Sequence, residues 1–239
     1  MSALHVVLTI YLNLQSDLYA LKGELSGDLR ISVVNTVQYV IPYLLKGFLA
    51  LFPAVNINVN VVNRATALER LNKNTDDLVV MAMVPNERPL TAIPFLDNEL
   101  IPVLPADFKL TKKGTMTPQQ FLDQPLLLRE SGSGSRLALE QHCQQHRLTM
   151  NPSMELGSND VIKHSVISGL GVAVLPRLSV LSELKLGLVK TIVLKGFPLR
   201  RSWCIVYPQA KNLTPVAQAF LDYVQHHLEQ INEHFTNLK

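Results

Sequence analysis

Residues 126–141 read LLLRESGSGSRLALEQ. Leu126, Leu127 and Leu128 form the short apolar run of a buried strand. Gly132 and Gly134 free the backbone to turn sharply behind it. Ser135 is placed to cap a following helix, on which Leu139 and Cys143 share one face. A strand, a Gly/Ser turn and a helix start leave backbone N–H groups converging on one spot. That is a ready anion site, with serine hydroxyls and Arg129 or Arg136 as added donors. An ordinary capped loop explains the same residues. The turn is no P-loop, because no Lys-Ser/Thr pair follows it.

Downstream the same grammar continues. MELGSNDVIKHSVISGLGVAVLP supplies a strand end at Met154–Leu156 and a helix capped by Ser158, Asn159 or Asp160. Gly169 and Gly171 close that helix and lead into a strand over 172–175. Further strands are expected at 188–194 and 203–206, and Thr214 with Pro215 opens a long last helix. Upstream, GDLRISVVN is a strand, followed by a helix with Pro42 in its first turn and Ile41, Leu44, Leu45, Phe48 and Phe52 at helical spacing. VNINVNVVN alternates as a strand with one polar face. TALE, Thr66–Glu69, reads as a capping box on a short helix. DLVVMAMVP is apolar on both faces, as in a parallel sheet covered by helices. PFLDNELIPVLP, 94–105, is a strand bent by prolines, and TPQQFLDQ a short helix. The order is βαβαβ twice over, so the class is α/β. Two such units joined by crossing strands leave a cleft between them.

Composition narrows the function classes. The chain has 239 residues, 47% hydrophobic and 17% charged, enough for a real core. A net charge of +3, with no basic block, gives no nucleic-acid footprint. Cys143 and Cys204 read as reduced thiols rather than a disulfide or metal framework. His142 and His146 lie four apart on a helix without an acidic partner, so no metal is expected. HVVLTIYLNL, 5–14, is too short to span a membrane. Residues 5–22 instead suit an amphipathic helix that packs on another chain or on the domain body.

The chemistry on offer sits at strand-to-helix junctions: Asn35 and Thr36, Asn63 and Arg64, Met83 and Val84, Arg129 to Ser135, and Gly157 to Asp160. Small anions bind at such junctions in α/β folds. Arg64 is the best candidate for a fixed positive charge, against the plain alternative of a solvated surface arginine. No G-x-S-x-G elbow, acid–base pair or dinucleotide fingerprint is present, so no enzyme and no cofactor are expected.

These segments carry a resemblance. GDLRISVV, IPYLLKGFLALFPAVNINV, DDLVVMAMVP and ISGLGVAVLP resemble, in order and spacing, the effector-binding region of LysR-type transcriptional regulators. NRATALERLNKNTDDL, PFLDNELIPVLPAD and LLLRESGSGSR look like the branch that regulates carbon dioxide fixation and bicarbonate uptake, called CbbR or CmpR. The resemblance implies two Rossmann-like subdomains joined by two crossover strands, as in periplasmic binding proteins, with the effector between them. Residues 27–102 and 208–239 would form the first subdomain and 103–207 the second, with 1–26 a remnant of the linker helix. It implies effector contacts at Asn35, Thr36 and Val37, at Arg64, Ala65 and Thr66, and at Met83 and Val84. On the other side it implies Arg129, Ser131, Ser133, Ser135, Asn159, Gly171 and Val172. Asn35 departs from the Ser or Thr common in the family, and its amide remains able to donate.

The expected ligand is a small phosphorylated or carboxylated metabolite. The expected assembly is a homodimer, with a tetramer for the full-length regulator, in the cytoplasm and away from membranes. Family members begin with a helix-turn-helix ahead of the linker helix, and no recognition helix is found here, so DNA binding is expected only of a full-length regulator. The competing readings are a periplasmic solute-binding protein for a small anion and a scaffold that only dimerises.

Overall fold

The computed structural model describes residues 25–110 and 116–238. The helix expected over 5–22 lies outside the described residues.

In chain order the elements are β1 (Gly27–Val34), a 3-10 turn (Asn35–Val37), α1 (Ile41–Leu51), β2 (Val55–Val62), α2 (Arg64–Asn72), β3 (Leu78–Met81) and β4 (Leu90–Pro105). Then come α3 (Pro118–Leu122), β5 (Leu126–Arg129), α4 (Gly134–His146), β6 (Pro152–Leu156), α5 (Asn159–Ile167) and β7 (Ala173–Pro176). After a 3-10 turn (Arg177–Ser179) the chain continues as α6 (Leu181–Lys185), β8 (Val189–Lys190), β9 (Leu199–Pro208), α7 (Pro215–His226) and α8 (Leu228–Asn237). The strand expected at 188–194 shrinks to two residues, and the one expected at 203–206 grows to ten. The long last helix is interrupted at His227.

β4 and β9 tie the molecule together. They run antiparallel over most of β9, from Leu90 opposite Pro208 to Leu100 opposite Leu199. Toward one end β9 pairs with β3 at Cys204–Val206, and β3 continues the parallel set with β1 and β2. Toward the other end β4 pairs with β7 at Leu100–Val103. β7 in turn meets β5 through the Leu126–Val172 bridge, and β5 pairs with β6. The partners therefore change inside both long strands. The register shift between Pro94 and Leu96 falls at one of these changes, where a proline is tolerated because a bulge needs no ladder bond. Pro102 lies past the last β9 pair and costs that ladder nothing.

Burial follows this topology. β3 (LVVM) and β5 (LLLR) are buried at every position, as strands covered on both faces require. One core gathers Leu29, Ile31, Phe48, Trp203 and Phe220 around β1, β3, β9, α1 and α7. Phe220 meets Phe48 edge-on at 5.2 Å, so the C-terminal helices close over the N-terminal unit. The other unit has a core on each sheet face. One is Leu104, Phe121, Leu128 and Leu139, and the other Ile101, Leu127, Ile162 and Leu175.

Two helix caps differ from expectation. α2 is capped by Asn63, whose side chain accepts from the Thr66 amide at 2.9 Å, so Thr66 lies inside the first turn. α4 is capped by Ser133, which accepts from the Arg136 amide at 3.2 Å, and Ser135 sits inside the first turn. Asparagine and serine each satisfy an orphan amide at these ends.

Candidate functional site

The strand ends converge on one cavity between the two units. Asn35 and Thr36 reach it from the end of β1, Asn63 and Arg64 from the end of β2, and Met83 from beyond β3. Arg129, Ser133, Gly134 and Ser135 reach it from β5 and the start of α4. Asn98 and Arg201 enter from the crossing strands and face each other as partners in the β4–β9 register. The free volume is about 20 Å³, room for about one water.

The two units touch directly around it. The Ala65 amide donates to the Gly132 carbonyl at 3.1 Å. Asn35 Oδ1 accepts from Arg129 Nη1 and from the Asn159 amide, both at 3.3 Å. Farther along the rim, Gln38 Nε2 and Tyr39 OH each donate to the Asp160 carboxylate at 3.1 Å. Gly132 has φ +87, and a Cβ there would stand 2.9 Å from the Ala65 Cβ. A glycine thus serves both the turn and the close approach.

Charge is distributed unevenly. Arg30, Arg70, Arg136 and Arg177 are each paired with a carboxylate. Arg129 is buried and forked onto Glu130 at 2.7 and 2.8 Å, so its charge is already matched. Arg64 and Arg201 have no carboxylate within ion-pair distance among the described residues. Arg64 Nε donates to the Met83 carbonyl at 2.7 Å. Burial, then the neighbouring Arg88, push the Arg64 guanidinium below its ordinary value, partly opposed by Glu87. Arg201 Nη1 donates to the Arg200 carbonyl at 2.7 Å, and its Nε lies 3.1 Å from Met83 Sδ.

Two buried polar atoms lining the cavity, Ser135 Oγ and Asn98 Oδ1, have no hydrogen-bond partner among the described residues. Such atoms are uncommon in folded proteins and mark places where a further group fits. The Gly134 and Ser135 amides at the start of α4 point the same way, because no helix carbonyl lies behind them and the Ser133 cap takes the Arg136 amide. The helix dipole adds roughly half a positive charge there.

The expected contact residues divide by position. Asn35, Thr36, Arg64, Met83, Arg129, Ser133 and Ser135 line the cavity. Val37 and Val172 are buried in the cores behind it, and Thr66 holds the α2 cap. Ala65 makes the contact between units, and half-buried Val84 follows Met83. Exposed Ser131 donates its amide to Glu155, while Asn159 is buried beside Arg129. Gly171 is packed against the Pro125 carbonyl. Asn63, named in the sequence as a strand-to-helix junction, also lines the cavity, and so do Asn98 and Arg201, for which the sequence carries no signal.

With this geometry in hand, the family model described as the LysR substrate binding domain matches residues 22–229. The chain belongs to that family. It is 37% identical over 223 residues to a RuBisCO operon transcriptional regulator of Acidithiobacillus ferrooxidans, covering 93% of this chain and 72% of that protein. It is 36% identical to the HTH-type transcriptional activator CmpR of Synechocystis, covering 92% and 72%. Among solved structures, the Synechocystis CcmR regulatory domain in complex with 2-PG superposes with a TM-score of 0.80 at 31% identity, covering 87% of this chain and all of that one. The relatives are transcriptional regulators, and the LysR substrate-binding domain fold is the two-unit architecture seen here.

In this LysR domain, no three His, Cys, Asp or Glu side chains gather as a metal site among the described residues. No described helix is long and apolar enough to cross a membrane. Both cysteines are free, and burial pushes the Cys143 thiol up to about 11.

Trp203 offers a direct report on the cavity. It is the one tryptophan in the sequence, fully buried, and its Nε1 donates to Thr36 Oγ1 at 3.0 Å. A ligand contacting Thr36 should therefore change tryptophan emission in a saturable way. Trp203→Phe should abolish the signal, and an emission change surviving in that variant would show that it arises elsewhere.

Proposed function

We propose that this LysR domain senses a small phosphorylated or carboxylated anion held between its two units. In a full-length regulator it would pass occupancy to a DNA-binding segment as a cytoplasmic homodimer or tetramer, without chemistry of its own. The observation that carries this reading is the pair of guanidiniums without carboxylate partners, Arg64 and Arg201, in a cavity whose lining contains no acidic side chain. Ser133, Ser135 and the start of α4 supply neutral donors opposite Arg64. The Synechocystis CcmR regulatory domain, solved in complex with 2-PG, supports the same class of ligand.

Binding would work by exchange of contacts. An anion entering between the units brings acceptors to Ser135 Oγ, the α4 amides and Arg64, which satisfies groups now lacking partners. The Ala65–Gly132, Asn35–Asn159 and Tyr39–Asp160 contacts close the units around it. A ligand that favours this closed arrangement shifts the population toward it only by its differential affinity.

Calorimetric titration tests the reading with a phosphorylated sugar and the neutral parent sugar. The phosphate ester should bind saturably and more weakly as salt rises, and the neutral sugar should show no heat of binding. Equal affinity for the two would overturn the anion reading.

A further inference from the structure

Away from the contacts between the two units, one buried side-chain polar atom has no hydrogen-bond partner among the described residues, His142 Nε2. His142 lies in the second half of α4 and is 6% exposed. Its ring packs beneath the turn that precedes β9. The Phe197 ring stands edge-on to it at 4.8 Å, and the Phe197 amide closes the turn onto the Leu194 carbonyl at 3.1 Å. Gly196, at φ +85, crosses the Cε1–Nε2 edge of the imidazole, where a Cβ would stand 2.7 Å from Cε1 and 3.1 Å from Nε2. A glycine lets the backbone pass that close.

A neutral imidazole tolerates this setting and an imidazolium does not. The charged ring presents two N–H donors and a full charge, and burying those without a partner costs far more than burying one unbonded nitrogen. The surroundings offer no compensation. On α4, the His146 ring lies 4.2 Å away, and Glu140 is taken by Arg136. β9 brings Arg200 and Arg201 to the same hollow, which has no acidic side chain in its lining. Arg200 is answered by Glu99 of β4, and Arg201 has no carboxylate partner among the described residues. Of the other strands packed on α4, β7 carries no charged residue, and Arg129 of β5 is forked onto Glu130. The turn over 194–198 carries only Lys195. The charges left unanswered around the ring are therefore positive. Burial, then His146 and Arg201, hold the imidazolium below its ordinary value.

We propose that His142 is an acid-sensitive switch between α4 and the turn over 194–198. Taking up a proton drives the ring out from beneath Gly196, where water can satisfy both nitrogens, and the turn lifts with it. The effect reaches the cavity by two routes. α4 carries Ser133 and Ser135 at its start, and Arg201 lines both the hollow and the cavity. Acid therefore loosens the second unit's side of the cavity, whatever the cavity holds. The sign follows from linkage. An unfolded or solvated histidine titrates at about 6.5. With the buried group held lower, the open turn binds more protons than the closed one as pH falls below that value, and closure is lost. Above it both states are neutral and the switch is silent. Below it the open population should rise by up to about tenfold for each pH unit.

Hydrogen exchange of the ligand-free chain tests this, read by mass spectrometry on a peptide spanning 192–199. His142→Gln is run beside the unmodified chain at each pH, so that intrinsic exchange rates cancel. The unmodified chain should lose protection in this peptide as pH falls from about 7.5 to about 5.5, across the ordinary histidine value. His142→Gln should keep the same protection at both ends. His142→Leu repeats the comparison if the glutamine variant folds poorly. Arg201→Gln should move the loss to higher pH, because it removes a cation beside the ring, and a ring that merely fills space would not respond in that way. Protection that is constant across the range in the unmodified chain overturns the proposal, as does a loss that both His142 variants share. So does a His142 Cε1–H resonance that titrates at about 6.5 while the peptide stays protected, because the charged ring would then be accommodated with the turn closed.

Discussion

Arg64→Ala is expected to lower affinity for a phosphorylated anion by roughly tenfold to a hundredfold. Hydrogen bonds to an ionised group contribute about 1.5–3 kcal/mol, and each 1.4 kcal/mol is a factor of about ten. Stability should change little, and the reason lies in what Arg64 does in the folded chain. It makes one hydrogen bond, to the Met83 carbonyl, and no ion pair among the described residues. Burial already disfavours its charge. Removing it therefore removes a desolvated cation along with that bond, and the two effects oppose each other. Calorimetry and thermal unfolding, run together, separate the outcomes. Unchanged affinity in a folded variant would mean that the anion is held elsewhere. A large fall in melting temperature would mean that Arg64 is mainly structural. Ser135→Ala is the companion: it removes a hydroxyl without a partner and leaves the Ser133 cap intact, so it too should weaken binding without unfolding the chain.

The contrast between Arg64 and Arg129 shows what could be read in the sequence. Both arginines follow a strand and precede a helix, so both qualified as anion donors. Only Arg129 is followed by Glu130, and the chain leaves β5 at that point, which lets adjacent side chains meet instead of facing opposite ways. The two cap differences have a similar origin. Thr66 with Glu69 matches the capping pattern, yet Asn63 lies at the junction where the backbone is still extended, with φ −82 and ψ 171. Ser133 and Ser135 are equivalent as residue types, and the backbone alone selects the first.

The α/β class, the β5 strand and the cleft between two units were legible because period and punctuation are local properties. Asn98 and Arg201 were not. Each sits in an ordinary polar stretch of a strand, and they become a pair only through the antiparallel register of β4 and β9. Register between strands far apart in the chain is set by sheet topology, which local patterns do not encode. The same limit applies to where the units exchange strands. The long strands change partners between Pro94 and Leu100 in β4 and between Leu199 and Cys204 in β9, again through pairing of segments far apart in the chain.

Gly171→Ala should be the most damaging small substitution in the second unit. A Cβ at this position would lie 2.1 Å from the Pro125 carbonyl oxygen, 3.1 Å from the Pro125 carbonyl carbon and 3.2 Å from Leu127 Cδ2. The nearest atom is backbone, so no side-chain rotation relieves the clash. The Pro125 carbonyl also accepts from the Val172 amide at 2.9 Å, and the Leu127 amide donates to the Val172 carbonyl at 2.9 Å. These two bonds join β5 to β7, and through β7 to β4. Moving Pro125 aside loosens the joint on which the Ser133–Ser135 turn is mounted. Overpacking of this kind costs about 1–3 kcal/mol and more where backbone must move, a large part of a typical domain's stability. At roughly 2–4 °C per kcal/mol for a chain of this size, a melting temperature lower by about 5–10 °C is expected. Anion affinity should fall as well, since the turn loses its support. Gly157→Ala is the control, because nothing lies within 4 Å of the added Cβ and its φ is not in the left-handed region. It should melt with the unmodified chain. If Gly171→Ala does so too, the β5–β7 joint is compliant, and the glycine is needed there for some reason other than close packing.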